Sequence, residues 1–478
     1  MEDALHQWLA ATASIRTDIL FVLGLGLSLV VTVHALLRKR VVGAAIGWIG
    51  LAWLAPVFGS ALYFTFGINR VERRARRLRP KPSQQIDETP QAPATVPVEF
   101  RALDRAVRTI TGLLPAAGTR IAVYRNGDEA YPAMLAAIAQ ARTSVALSSY
   151  IFRDDGIGRE FCDALAKARD RGAEVRVIVD GIGSGYFRPA VWRRLGRMGV
   201  PVGLFMHSAL PWRMPFLNLR SHKKLLILDG RVGFTGGVNI SDGNRLATRP
   251  RFAIRDTHFR IEGPVVEQLT QAFAGDWAFV TGEDLDGDRW FPPLHPAGDI
   301  VARVVTSGPD ADIEKIATVV MEALTCARTS VRLTTPYFLP NEVLLNALCL
   351  AAMRGVAVDV VIPHHSDHRT VDWATRANVA PLLRSGVRIW LDAPPFDHSK
   401  ALAIDRAWCF IGSANWDSRS FRLNFELNVE VYDTALAERL HDFIGTKMRV
   451  PLTEAAIEAR ALPVRLRDAG VRLLLPYL

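Results

Sequence analysis

SHKKLLILDG, residues 221–230, sets a histidine and a lysine two positions apart, follows them with an apolar run, and ends on Asp229 and Gly230. DHSKALAIDR, residues 397–406, repeats the arrangement. His222 aligns with His398, Lys224 with Lys400, Asp229 with Asp405, Gly236 with Gly412 and Asn239 with Asn415, all at a separation of 176 residues. A lone His-x-Lys followed by an aspartate is a weak signal, but five distinctive positions in one register mark an internal repeat.

The repeat extends upstream. AMLAAIAQARTSVALSSYIF, GIGREFCDALAKARDRG and AEVRVIVD (from residue 133) answer to VVMEALTCARTSVRLTTPYF, NEVLLNALCLAAMRG and VAVDVVIP (from residue 319), and the word ARTSV stands at 141–145 and 327–331. Met134, Leu135 and Ile138, then Ile157, Phe161 and Leu165, have helical spacing, with Gly172 as a stop. Residues 144–152 and 174–180 are short and rich in β-formers, which predicts strands. Strand–helix–strand units build mostly parallel sheets covered by helices, so two copies predict two similar α/β lobes. The expected divisions are a membrane anchor at 1–70, a basic and Pro-rich linker at 71–100, a first lobe at 101–300 and a second at 301–478.

The N-terminus reads differently. Ile19 to Leu37 carries no charge, and nineteen residues of helix rise roughly 28 Å, about one hydrocarbon core. Arg38, Lys39 and Arg40 end the run, and a second uncharged run covers Val41 to Gly67 with Pro56 as a possible kink and Trp48, Trp53 and Tyr63 as interfacial anchors. Glu2 and Asp3 replace the basic start of a signal peptide, so a two-helix hairpin is expected. Seven basic residues from Arg70 to Lys81 outnumber the three in the loop, which places the bulk of the chain on the cytoplasmic side of a multi-pass inner membrane protein. Residues 80–98 hold five prolines, as a semi-stiff linker does. The net charge of +10 over 478 residues favours an anionic partner, nucleic acid or an acidic membrane surface. Beside two spans, lipid is the better reading of the basic run. The four cysteines are far apart and sit among apolar residues, as reduced core cysteines do.

The doubled HxKxxxxD followed by GGVN (236–239) and GSAN (412–415) resembles the signature of the phospholipase D superfamily. The uncharged N-terminus ending in PVFGSALYFTFGINR, with YIFRDDGIGREF, TPYFLP and SANWDSRSFRLNFELNVEVYD, is similar to the bacterial cardiolipin synthases of that superfamily, from about residue 19 to 450. Ser413 has no hydroxyl counterpart at Gly237, a departure from the pattern.

The resemblance implies two pseudo-symmetric lobes with mixed sheets and a phosphodiester exchange on anionic phospholipids: two phosphatidylglycerol molecules become cardiolipin and glycerol. The residues suit such chemistry. Displacing an alcohol from phosphorus needs a nucleophile on one side and a proton donor on the other. One imidazole would attack to give a phosphohistidine, and the other would protonate the departing oxygen. Lys224 and Lys400 would bind the non-bridging oxygens with Asn239, Asn415 and Ser413. Two ammonium groups would replace a metal, so no cofactor is expected. By resemblance, an acid downstream of each motif orients its histidine, and Asp256 and Glu426 are the candidates. Asp229 and Asp405 have two readings, as supports for the His-Lys pairs or as purely structural residues, Asp229-Gly230 resembling a tight hairpin turn.

Three other signals have blander explanations. DGIGSG at 180–185 follows a strand but fails the dinucleotide pattern at Tyr186 and reads as a loop. His364, His365 and His368 read as a loop near the cleft rather than a metal site. His34 lies within the first uncharged run, buried or at the interface. A hydrolase, a transferase using phosphatidylethanolamine or another alcohol, a nuclease and a non-catalytic lipid-binding scaffold remain as alternatives, the nuclease disfavoured by the spans and the scaffold by two intact motifs.

Overall fold

The computed structural model describes residues 2–39, 42–67, 94–185, 189–205, 219–308 and 314–473, with side chains of 2–17 not described. The basic run after residue 70 and most of the Pro-rich linker lie outside these residues. The chain divides into an N-terminal unit within residues 1–73 and a body from residue 74 onward.

In the N-terminal unit one helix runs Glu2–Arg38, and its Asp18–Arg38 segment is long and apolar enough to cross a membrane. The second run is not one helix. Val42–Leu54 stops at Ala55, which leaves the helical region (φ −138°, ψ 75°), and Pro56–Leu62 starts anew. Proline has no N–H and its ring crowds the preceding turn, so the helix breaks where Pro56 enters. The pieces pack back on the first helix: Ser28 donates to the Ala52 carbonyl (2.6 Å), the Trp53 indole donates to Thr32 Oγ1 (3.0 Å), and His34 shares a hydrogen bond with the Tyr63 hydroxyl (2.6 Å). Val31, Ala35, Ala52 and Tyr63 are buried between them. Tyr63 therefore faces inward and is no interfacial anchor. Among the described residues one helix, not two, has the length of a span.

In the body, strands before residue 300 are β1 (Ala116–Arg125), β2 (Ser144–Ser149), β3 (Glu174–Asp180), β4 (Val202–Phe205), β5 (Arg220–Ser221), β6 (Leu225–Leu228), β7 (Val232–Gly236), β8 (Ile254–Arg255) and β9 (Thr257–Glu262). Those after it are β10 (Ile300–Ser307), β11 (Ser330–Thr334), β12 (Phe338–Leu339), β13 (Ala357–Pro363), β14 (Arg388–Asp392), β15 (Phe396–Asp397), β16 (Ala401–Ile404), β17 (Trp408–Gly412), β18 (Trp416–Asp417), β19 (Asn424–Tyr432) and β20 (Val450–Leu452). The order β4-β3-β2-β6-β7-β9-β1 in the first half mirrors β14-β13-β11-β16-β17-β19-β10 in the second. β2, β3 and β4 are parallel, as are β11, β13 and β14, and the other neighbours in these two orders are antiparallel.

The halves fuse. β1 pairs antiparallel with β10, which joins both halves into one 16-stranded sheet. Apolar residues of both halves, Phe259 and Ile261 with Val304, Leu427 and Val429, share one core at the seam. The outer faces are covered as the periodicity predicts. Ile138, Phe161 and Leu165 pack over the first half, and Leu344 and Leu348 over the second. The helices that carry Phe161 and Leu344 start at side-chain caps, Asp155 accepting from the Gly158 amide and Asn341 from the Leu344 amide, which satisfy otherwise unpaired first-turn N–H groups. Gly172 and Gly355 follow them with positive φ (96° and 90°), where a side chain would be strained. All four cysteines are free, Cys162 and Cys409 fully buried.

Candidate active site

The two His-Lys triplets sit where two-residue strands hand over to the apolar ones. β5 precedes His222 and β6 begins at Leu225; β15 precedes His398 and β16 begins at Ala401. Each two-residue strand pairs in parallel with the opposite half. β5 lies on β19, with Arg220 opposite Asn424 and Ser221 opposite Phe425. β15 lies on β8, with Phe396 opposite Ile254 and Asp397 opposite Arg255. The ladders continue through His222 N–H to the Phe425 carbonyl (2.9 Å) and His398 N–H to the Arg255 carbonyl (2.7 Å).

This register exchanges the acids. His222 Nδ1 is 3.0 Å from Glu426, and His398 Nδ1 is 2.8 Å from Asp256. The acid downstream of each motif serves the histidine of the other half, which linear order did not suggest. With Nδ1 engaged by a carboxylate, Nε2 is the nitrogen left for chemistry. The imidazole rings lie 6.3 Å apart between centroids, nearly perpendicular at 77°. They are 5 % and 8 % exposed.

The lysines complete the cluster. Lys224 donates to the His222 carbonyl (2.7 Å), and Lys400 Nζ lies 2.5 Å from the His398 carbonyl and 2.9 Å from His398 Nε2. Burial and the charge of Lys400 hold Lys224 down at about 7, and burial holds Lys400 at about 8. Burial pushes Asp256 and Glu426 up to about 7. Both imidazoles are held well below their ordinary range, first by burial and then by the lysines. Charged forms disfavoured by burial and set against one another are what a proton-transfer site requires.

Asp229 and Asp405 are not in this cluster. Each lies at the far end of its apolar strand, roughly 20 Å of extended chain from its histidine. Asp229 accepts from the amides of Arg142, Thr143 and Ser144 and from the Thr143 hydroxyl. Asp405 does the same for Arg328, Thr329 and Ser330. The expectation that they support the His-Lys pairs is corrected: they cap the repeated ARTSV turns. Both adopt positive φ (51° and 52°), a conformation aspartate tolerates better than most residues.

Of the remaining expected residues, Ser413 touches the cluster. Ser413 Oγ donates to Glu426 (2.5 Å) and its carbonyl lies 3.1 Å from His222 Nδ1. Asn239 Oδ1 accepts from the Ile151 amide (3.3 Å), and Asn415 is buried. His364, His365 and His368 form no three-residue metal-binding group among the described residues.

Two tyrosines escaped the sequence reading. Tyr150 stands edge-on to His222 (4.9 Å between centroids) with Lys224 Nζ 5.2 Å from its ring centre, and its hydroxyl accepts from Arg220 (2.7 Å). Tyr337 stands edge-on to His398 (6.1 Å) and donates to Asp367 (2.8 Å). Both follow the ARTSV strands, one position out of register with each other, Tyr150 matching Pro336 and Tyr337 matching Ile151.

The profile of the family described as "Cardiolipin synthase, PLD-like domain" matches residues 134–277 and 320–446, which contain both histidines and both acids. The chain is 30 % identical to the major cardiolipin synthase ClsA of Bacillus subtilis over 98 % of its own length and 99 % of that protein's. The chain belongs to this family. It is an enzyme of the PLD-like group. A cardiolipin synthase of Staphylococcus aureus is 34 % identical over 74 % of this chain and 73 % of its own. The crystal structure of phosphatidylserine synthase from Haemophilus influenzae superposes with a TM-score of 0.60 at 13 % identity, covering 79 % of this chain and 100 % of that one, which is a likeness of fold.

Within the family pattern, the GGVN departure has a steric reason. A Cβ on Gly237 would lie 2.0 Å from Asp256 Oδ1. At the matching place in the other half, Ser413 fits because Glu426 reaches its histidine from a longer side chain and takes the Ser413 hydroxyl as a partner. Asp256 has the Thr257 amide instead (2.7 Å). The two halves thus hold their histidines differently: Glu426 is braced by the side chains of Ser413 and Asn424, and Asp256 by the backbone amide of Thr257.

Proposed function

We propose that the chain is a membrane-bound phosphatidyltransferase that makes cardiolipin from two phosphatidylglycerol molecules and releases glycerol. The observation that carries this reading is the pair of buried imidazoles, 6.3 Å apart between centroids, each bound at Nδ1 by the acid of the other half. In the first step Nε2 of one histidine bonds to phosphorus, the P–O bond to glycerol breaks, and the other histidine, whose imidazolium form the bound phosphodiester anion favours against the effect of burial and the lysines, gives its proton to the departing oxygen. In the second, that imidazole takes the proton of the terminal hydroxyl of a second phosphatidylglycerol, whose oxygen bonds to phosphorus as the P–N bond breaks. Lys224 and Lys400, with Asn239 and Asn415, hold the non-bridging oxygens. The two ammonium groups supply the positive charge, and a chelator should leave turnover intact.

His222 is proposed as the nucleophile, because Ser413 and Asn424 fix its carboxylate partner and hold the ring in one orientation. His398 is the acid. Residues 1–70 are proposed as the anchor, 71–100 as linker, 101–300 and 301–478 as the two halves, with the body on the cytoplasmic side.

The purified protein is incubated with phosphatidylglycerol and the products are weighed. Cardiolipin and glycerol bear the reading out. Phosphatidic acid and glycerol would make it a hydrolase, and no turnover would make it a scaffold. With a nitrophenyl-type phosphodiester, a phosphorylated enzyme that accumulates in His398→Ala but not in His222→Ala fits the assigned roles, and the converse reverses them.

A further inference from the structure

The helix Leu462–Arg472, LPVRLRDAGVR, is amphipathic with its apolar stripe turned outward. Leu462, Leu466 and Leu473, one to two turns apart along one face, are 64 %, 63 % and 76 % exposed. Arg465 and Arg472 line one edge of that stripe and are exposed as well. The acid of the helix, Asp468, is fully buried and bound by Arg460 and Arg467. Val471, on the inner face, packs on Leu339, Val371 and Ala374, the small core that Tyr337 also joins. Tyr337 touches His398. That small core and Tyr337 therefore link this helix to the His398 side of the cluster.

A stripe of exposed leucines with arginines along one edge and the helix's only acid turned inward does not suit water. It suits an anionic bilayer surface, where leucines enter the acyl boundary and arginines meet phosphates. We infer that the helix Leu462–Arg472 docks on anionic lipid and seats the His398 side of the cleft at the membrane interface, where the substrate lipids reside. The anionic substrate is the part of this inference that rests on the proposed function.

The test uses the full chain in vesicles of phosphatidylglycerol and phosphatidylcholine, with a photo-crosslinking amino acid in place of Leu466. Lipid adducts at this position, found by mass spectrometry, bear the inference out. Adducts to a second copy of the chain, or none, overturn it. The readout does not depend on turnover, so an inactive enzyme that still crosslinks lipid refutes the proposed function and leaves the docking helix standing. In parallel, Leu462→Ser with Leu466→Ser should lower turnover on vesicles by about tenfold or more, since two leucines leave the acyl boundary. Turnover of a short, soluble phosphodiester should be unchanged, because neither side chain touches the site. Equal loss on both substrates would overturn the inference.

Discussion

His222 and Glu426 lie 204 positions apart in the chain and 3.0 Å apart in space, and the reciprocal pair, His398 and Asp256, is 2.8 Å apart. Neither half can therefore orient its own histidine.

The exchange predicts how the acid variants sort. Asp256→Asn should resemble His398→Ala, and Glu426→Gln should resemble His222→Ala, although each acid sits in the half of the other histidine. Loss of an orienting carboxylate costs about 10²- to 10⁴-fold in kcat. Pre-steady-state trapping of the phosphoryl-enzyme separates the two classes: Asp256→Asn should still form it from a substrate with a good leaving group, and Glu426→Gln should not. Sorting by half instead of by contact would refute the exchange.

Asp229 and Asp405 should behave as structural residues. Removing four hydrogen bonds from a turn, in a backbone conformation alanine tolerates poorly, should cost about 2–4 kcal/mol of stability for Asp229→Ala or Asp405→Ala. Asp→Asn keeps an acceptor and the tolerance for positive φ, so it should cost less. The check is thermal unfolding beside turnover per folded molecule. A variant as stable as the parent but inactive would return these aspartates to the chemistry.

Gly237→Ser makes the first motif look more like the second, yet it should be the more harmful change. Its Cβ would stand 2.0 Å from Asp256 Oδ1, so the carboxylate must leave His398. A loss of about 10²-fold or more in kcat is expected. Ser413→Ala removes one hydroxyl partner of Glu426 and should cost about tenfold. Measured side by side, the opposite ranking would show that Asp256 can move aside without penalty.

Turnover should follow a narrow bell in pH. Lys224 at about 7 and Lys400 at about 8 carry charge below those values, so kcat/KM should fall as pH rises through 7 to 8 and the lysines lose their protons. Asp256 and Glu426, at about 7, take up protons as pH falls through neutrality and then hold imidazolium less well, which sets the acid limb. A bound phosphodiester anion favours charged lysine, so the alkaline limb of kcat should lie at higher pH than that of kcat/KM. Coincident limbs, or activity rising steadily to pH 9, would contradict this charge arrangement.

The sequence by itself determined the repeat, the α/β class and the His-Lys pairs proposed to react. Those rest on local spacing: helical periodicity in Ile157, Phe161 and Leu165, β-rich runs at 144–152 and 174–180, and a His-Lys pair kept in register across 176 residues. It also located Asp256 and Glu426, by family resemblance, without saying which histidine each serves. Only the tertiary structure decided that. Two short parallel pairings, β5 on β19 and β8 on β15, bring together residues no local pattern relates, and a shift of one residue would turn each acid away from its partner. The same holds for Asp229 and Asp405, whose partners are amides of a turn on the neighbouring strand, and for Gly237, whose missing side chain is explained by a carboxylate nineteen positions downstream. Spacing along a strand reports which way a side chain points. What it meets there is settled by packing between distant segments, where burial makes every unpaired charge costly.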